Sequence, residues 1–264
     1  MTSSSAADTD RAPSGAHSKT LRRDLKLSTA EGSAFSLMVG TGETYLAAFV
    51  LAVGLGQVTS GLIASVPLLA GALLQLVSPL AVRALGSHRR WIVACARTQA
   101  FALVLLAIAA GIGSIPAAAA FLIASVYWGA AMAAGSAWNT WITTLVPRGI
   151  RANWFARRSR VMQSCTLGGF LAAGAILQFA GDAYKTTAFA LLFGLAALFR
   201  FASAELLARH SEPEPLPEGQ RLVGVSELAL RIRHGDDGRL LFYMLCVTLA
   251  AQTAAPFFTP FMLA

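Results

Sequence analysis

Residues 91–141 read WIVACARTQAFALVLLAIAAGI, then GSIP, then AAAAFLIASVYWGAAMAAGSAWNTW. Each apolar run is long enough to cross a hydrocarbon core of about 30 Å, which takes roughly 20 residues of helix. The link at 113–116 is too short for anything but an antiparallel hairpin. A membrane strand would alternate in polarity over about 10 residues, whereas these runs are continuous and rich in Ala and Leu. Residues 91–141 are therefore predicted to be two membrane helices.

The same pattern extends outward in both directions. Apolar windows fall at 33–55, 60–82, 91–112, 117–141, 161–180, 186–207 and 240–264. The whole chain of 264 residues is 56% hydrophobic and only 13% charged, with a mean hydropathy of +0.61. A soluble domain averages about 45–50% apolar and about 25% charged residues, so too little polar surface remains to dissolve a globule of this size. Three cysteines, Cys95, Cys165 and Cys246, contain no CxxC pair and make no disulfide scaffold. The fold class is all-α, a polytopic membrane bundle of six transmembrane helices with a seventh after a cytoplasmic connector. The predicted organisation is a disordered cytoplasmic tail at 1–30, a six-helix bundle at 31–207, a connector at 208–239 and the start of a second bundle at 240–264. Within the tail, 21–27 has the pattern of a short basic surface helix. Within the connector, Leu222, Val225, Leu228 and Ile232 recur at helical spacing and predict a short amphipathic helix.

The net charge of +8 raises a nucleic-acid reading, which the placement of the charges removes. Arg11, Lys19, Arg22, Arg23 and Lys26 precede the first window; Arg83, Arg89 and Arg90 lie between the second and third. Arg148, Arg151, Arg157, Arg158 and Arg160 lie between the fourth and fifth, and Arg209, Arg221, Arg231, Arg233 and Arg239 follow the sixth. Those are 18 of the 21 basic residues, against Lys185 alone in the alternate loops. The positive-inside rule then puts the N-terminus in the cytoplasm and the chain in the cytoplasmic membrane as a multi-pass protein. Arg97 and Arg200 lie inside windows toward the basic side, where long side chains snorkel to the interface. Trp91, Trp138, Trp141 and Trp154 cluster at the same boundary, where indoles anchor.

Six spans, a long connector and a further span resemble the amino-terminal half of a major facilitator superfamily transporter. That family's loop between helices 2 and 3 reads approximately G-x-L-A-D-R-x-G-R-R. Here Leu80, Ala81, Arg83, Gly86, Arg89 and Arg90 match it across a short insertion, and Val82 stands where the family has Asp. Residues 146–160 are similar to the Arg-rich turn that many members carry between helices 4 and 5. Residues 255–261, with Pro256 and Pro260, are similar to a Pro-broken seventh helix. The resemblance implies two six-helix halves rocking about a central substrate site. It also implies that the chain is a truncated piece lacking its second half, or that two copies pair to rebuild the cavity.

Glu43 is the sharpest candidate. It falls near the middle of 33–55, where a carboxylate costs a few kcal/mol on insertion scales. Ser36, Gly40, Glu43 and Ala47 form a stripe of small or polar residues on one helix face, which should look into the bundle. Gly40 and Gly42 flank Thr41 and should loosen the backbone there. The functional reading of Glu43 is a proton or cation coupling site, or a counter-ion for a basic substrate; the alternative is a protonated carboxyl used only for packing. With it, Thr41, Thr44, Tyr45, Gln75, Trp128, Asn139, Gln163 and Gln252 make up the expected substrate and ion pathway. Each uncharged polar group taken singly is worth about 0.6 kcal/mol of helix association.

What is missing narrows the class. His17, His88, His210 and His234 all lie outside the windows, so an intramembrane Ser–His protease has no base. No Lys is available in a span for a retinal Schiff base, no phosphate-cradling GxxxxGK[ST] loop is present, and no His/Cys cluster has metal spacing. The chain is expected to be no enzyme and to use no cofactor or metal. Its expected partners are the lipid bilayer, a small-molecule substrate with proton or cation coupling, and a second half or second copy, without nucleic acid. The function implied is secondary active transport of a small solute by alternating access. A half-size membrane scaffold or assembly partner is the alternative.

Overall fold

The computed structural model describes residues 15–212, 238–248 and 250. Two compact units divide the chain, Met1–Leu216 and Pro217–Ala264. Among the described residues the first unit contains α1 (Gly15–Thr41), α2 (Leu46–Ala52), α3 (Gly56–Leu74), α4 (Ser78–Leu85), α5 (His88–Ile112), α6 (Ala117–Leu145), α7 (Arg148–Ala180) and α8 (Lys185–Ala208), with no strand. The second unit contains a shorter apolar helix, α9 (Gly238–Thr248). The expected tail at 1–14, the amphipathic helix at 222–232, Gln252 and the Pro-broken segment at 255–261 lie outside the described residues.

The first unit holds six stretches long and apolar enough to cross a membrane: Lys19–Ala52, Gly56–Leu85, His88–Ile112, Ala117–Leu145, Arg148–Ala180 and Lys185–Ala208. The chain is a membrane-spanning all-α bundle. Short turns join the helices. Gly113 closes α5 in the left-handed region at φ 79°, donating to Ala109 and Ala110, and Pro116 then starts α6. Gly86 does the same at φ 60° after α4, and Ser87 caps α5 by accepting from the Arg90 amide at 3.0 Å. Both turns need a backbone conformation that suits glycine.

Packing follows the small residues. α5 lies against α8 and α6, α1 against α7 and α8, and α3 against α6. Gly40 and Gly169 meet at the α1–α7 crossing; Gly71 of α3 rests on the Trp128 backbone of α6. Small residues let membrane helices approach closely, because lipid tails supply no hydrophobic drive for association. One core cluster gathers Met38, Phe49, Leu103, Tyr127 and Phe193, and a second gathers Ile92, Trp141 and Leu207. Outside, Phe101, Leu105, Ile108 and Ile112 form an exposed apolar stripe along α5 suited to lipid. Burial is uneven. The most apolar windows of the first, third and sixth spans are 44% buried, but those of the second and fifth only 17% and 11%.

Three expectations at the helix ends are corrected. The tail was expected to run to residue 30, yet α1 starts at Gly15, because Asp24, Ser28 and Glu31 are buried against the bundle. Residues 148–160 were expected to be a loop, yet α7 starts at Arg148 behind Pro147, whose φ of −57° suits the lead into a helix. The second window is not one rod, since a 3₁₀ turn at Gln75–Val77 separates α3 from α4. At Glu43–Tyr45 the expected loosening is present: α1 stops, a 3₁₀ turn intervenes and α2 resumes.

Candidate functional site

The helices carry charges inward at one level. On α1, Ser28, Glu31 and Phe35 are spaced i, i+3, i+7 and share a face. Arg200 and Ser203 do the same on α8, and α5 adds Gln99, α6 Trp138 and α7 Arg158. The Arg158 Nη2 donates to Glu31 Oε2 at 3.0 Å and its Nε to the Ser28 carbonyl at 3.1 Å. Glu31 Oε1 accepts from the Ser203 hydroxyl at 3.1 Å. Arg200 Nη1 donates to that same hydroxyl at 2.8 Å, while its Nε, at 2.9 Å, and its Nη2 both donate to Gln99 Oε1. Two arginines thus share one carboxylate, one directly and one through a serine. Glu31, Arg158 and Arg200 are all under 9% exposed, and Gln99 and Ser203 are fully buried.

Aromatic faces complete the shell. The Arg158 guanidinium lies 4.5 Å from the Trp138 ring centre and that of Arg200 5.0 Å from Phe35. These stacked contacts favour Arg, with its flat delocalised charge, over Lys. A cavity of about 220 Å³ opens beside them, with Glu31, Phe35, Trp138, Asn139, Arg158 and Arg200 in its wall. Buried charges are costly unless paired, so a cluster of this kind in a membrane bundle is a candidate functional site.

Glu43 sits apart from that cluster and does face the bundle interior. The Tyr127 hydroxyl of α6, in a residue only 2% exposed, donates to Glu43 Oε2 at 2.6 Å. Met38 Sδ lies 3.1 Å from the same hydroxyl oxygen. The other sequence-predicted residues scatter. The Thr41 hydroxyl donates within α1 to the Leu37 carbonyl, and the Thr44 hydroxyl, from the 3₁₀ turn, donates back to the Val39 carbonyl of α1. Tyr45 donates to the Phe170 carbonyl at 2.7 Å and stacks on that ring, tying α7 to the break in the first span. Trp128 packs edge-on with Tyr127 against the core. Gln75 is half-buried in the 3₁₀ turn, and Gln163 is exposed on α7. Among the described residues of the predicted pathway, Asn139 alone lines the cavity.

The loop residues make a second cluster at the ends of the helices. Glu212, just beyond α8, accepts from Ser87 Oγ at 2.5 Å and from the Arg89 amide at 3.3 Å, and pairs with the Arg89 side chain at 3.7 Å. Arg89 also donates to the His210 carbonyl at 2.9 Å. Asp24 of α1 accepts from Ser211 on the other side. Gly86 shapes the turn, while Arg83 and Arg90 are exposed. This latch joins the start of α1, the turn before α5 and the end of α8.

The expectation that Arg200 snorkels is corrected: it is 3% exposed, because Gln99 and Ser203 give its donors partners inside. Arg97 instead reaches Glu205 at 2.9 Å with both side chains about half exposed, and does not meet Glu43. Trp138 and Trp141 are not simple boundary anchors, since Trp138 covers Arg158 and Trp141, 2% exposed, packs on His210. Glu31, Gln99, Arg158 and Ser203 were missed as site residues. The available signal was the shared face of Ser28, Glu31 and Phe35, hidden because Ser28 and Glu31 precede the apolar window. No protein-family model, curated protein or solved structure matches this chain.

Proposed function

We propose that the six-helix bundle is the amino-terminal half of a secondary active transporter of the major facilitator type. It moves a small solute across the cytoplasmic membrane by alternating access, with the N-terminus in the cytoplasm. The observation that carries the reading is the Glu31–Arg158–Arg200 cluster lining a cavity inside a bundle of six apolar helices. Three buried charges beside a void are costly for packing alone, and a solute site would make use of them. The resemblance of the 80–90 loop supports the same reading. So does the sparse burial of the second and fifth spans, whose outer faces suit a second bundle. Rocking of two bundles about a central site is the general form of such transport.

Glu43 supplies the coupling group in this reading, because its carboxylate lies in the bundle and its held partner, Tyr127, is a neutral donor. Glu43→Gln keeps an acceptor for Tyr127, so the protein should insert and fold normally. With the substitution made at the gene's own locus, cells should lose accumulation of the solute against a gradient while equilibration persists. A scaffold would be indifferent to the change, and unchanged accumulation would favour that class.

A further inference from the structure

Arg200 is a buried cation whose hydrogen-bond partners, Gln99 and Ser203, are both neutral. Among the described residues no carboxylate lies within ion-pairing distance of it; Glu31 pairs with Arg158. A guanidinium has five N–H donors. Arg200 uses three of them, two on Gln99 and one on Ser203, and Arg158 uses two, on Ser28 and Glu31. Both side chains border the same cavity. Within the wall two positive charges stand against one negative, and each arginine keeps unspent donors; Glu43, outside the wall, also acts electrostatically on Arg200. Buried charge of this kind calls for a compensating anion.

Size and lining restrict what the anion is. About 220 Å³ lies below the roughly 300–1,000 Å³ of sites for drug-sized ligands. Trp138 and Phe35 give apolar faces, and Asn139 adds one neutral polar group. A second negative charge would outweigh the single surplus positive one. We propose that this cavity binds a small organic monoanion, a carboxylate on a compact apolar body, held by Arg200 and Arg158. The assignment rests on the transport reading and names its substrate class.

Gly135 provides a clean probe. It lines the cavity, and an added Cβ there meets nothing within 4 Å. Gly135→Leu should fill the cavity without disturbing the fold, and it replaces glycine by a better helix former. Arg200→Lys keeps the charge but loses the planar fork.

The test uses the purified chain in phosphatidylcholine nanodiscs, with empty discs as blank. Benzoate, benzamide and benzylamine are titrated while tryptophan fluorescence is followed, and the titrations are repeated in discs containing phosphatidylglycerol. Benzoate should bind saturably, about tenfold or more tighter than benzamide, the fold-change of one charge-assisted hydrogen bond. Benzylamine should not bind. Gly135→Leu should abolish benzoate binding, and Arg200→Lys should weaken it about tenfold. Equal binding of benzoate and benzamide, or no benzoate binding, overturns the assignment. So does benzoate binding that survives Gly135→Leu, or loss of binding in phosphatidylglycerol, which would make the occupant a lipid headgroup. Radiolabelled benzoate uptake in cells carrying the unaltered gene separates the two readings. Binding without uptake sinks transport and leaves the anion site standing; accumulation of a cationic solute without benzoate binding does the reverse.

Discussion

Glu31→Gln lowers the stability of the bundle by about 3–5 kcal/mol, the cost of breaking a buried ion pair from one side. Among the described residues the Glu31 carboxylate is the acid hydrogen-bonded into the cluster, taking Arg158 on one oxygen and Ser203 on the other. Both members of the Arg158 pair have side chains under 10% exposed, so water replaces little of what is lost. A glutamine preserves the shape and leaves Arg158 uncompensated. The Arg97–Glu205 pair is a control at a similar distance, 2.9 against 3.0 Å, with both side chains about half exposed. Removing it with Arg97→Gln should cost at most about 1 kcal/mol. Reversible unfolding of the purified chain in mixed micelles reads both. Equal effects of the two substitutions would show that burial is not what makes the cluster matter.

Gly40→Leu is the second large effect, and it acts through backbone. A Cβ at Gly40 would lie 2.8 Å from the Phe170 nitrogen and 3.1 Å from the Gly169 carbonyl carbon, and would also collide with the Thr166 carbonyl oxygen. Those atoms belong to the α7 backbone and cannot swing aside, so the two helices must separate. Overpacking of this kind typically costs 1–3 kcal/mol, and a branched side chain at a backbone contact should reach about 3 kcal/mol. Separation of α1 from α7 also pulls Glu31 away from Arg158. Gly168→Leu, on α7 next to Gly169 but with open space at its Cβ, should be nearly neutral. A Gly40→Leu protein that melts with the wild type would mean that α1 and α7 do not cross at this point.

The bundle was legible because hydropathy is a property of whole windows. Residues 91–141 gave two spans with a turn between them, and α5, Gly113 and α6 follow that pattern closely. The helix starts were not legible. Residues 19–32 and 148–160 are too polar to register as spans, yet they are helical, with Asp24, Ser28 and Glu31 of the first and Arg158 of the second buried in the bundle. The same blindness hid the charged cluster. Counting Arg158 by its position beside an apolar window made it one of many basic loop residues, whereas its face on α7 makes it the partner of Glu31. Arg200 looked like a snorkelling side chain until Gln99 and Ser203, on two different helices, were seen to meet it. Glu43 was legible for the opposite reason: a lone carboxylate in an apolar window stands out whatever it touches, although its partner Tyr127 did not.

Alternating access is tested most directly at Asn139, which is exposed in the cavity wall. With Cys95, Cys165 and Cys246 replaced by serine or alanine, a single cysteine at Asn139 is labelled by a membrane-impermeant thiol reagent in native membrane vesicles of both orientations. Cysteines at Arg90 and Ala183, exposed on the heavily basic side and in the turn before α8, serve as one-sided references. Alternating access predicts that the Asn139 cysteine reacts from either side, while the Arg90 cysteine reacts only from the cytoplasm and the Ala183 cysteine only from outside. Reaction of the Asn139 cysteine from one side alone, in every condition, would contradict a transporter.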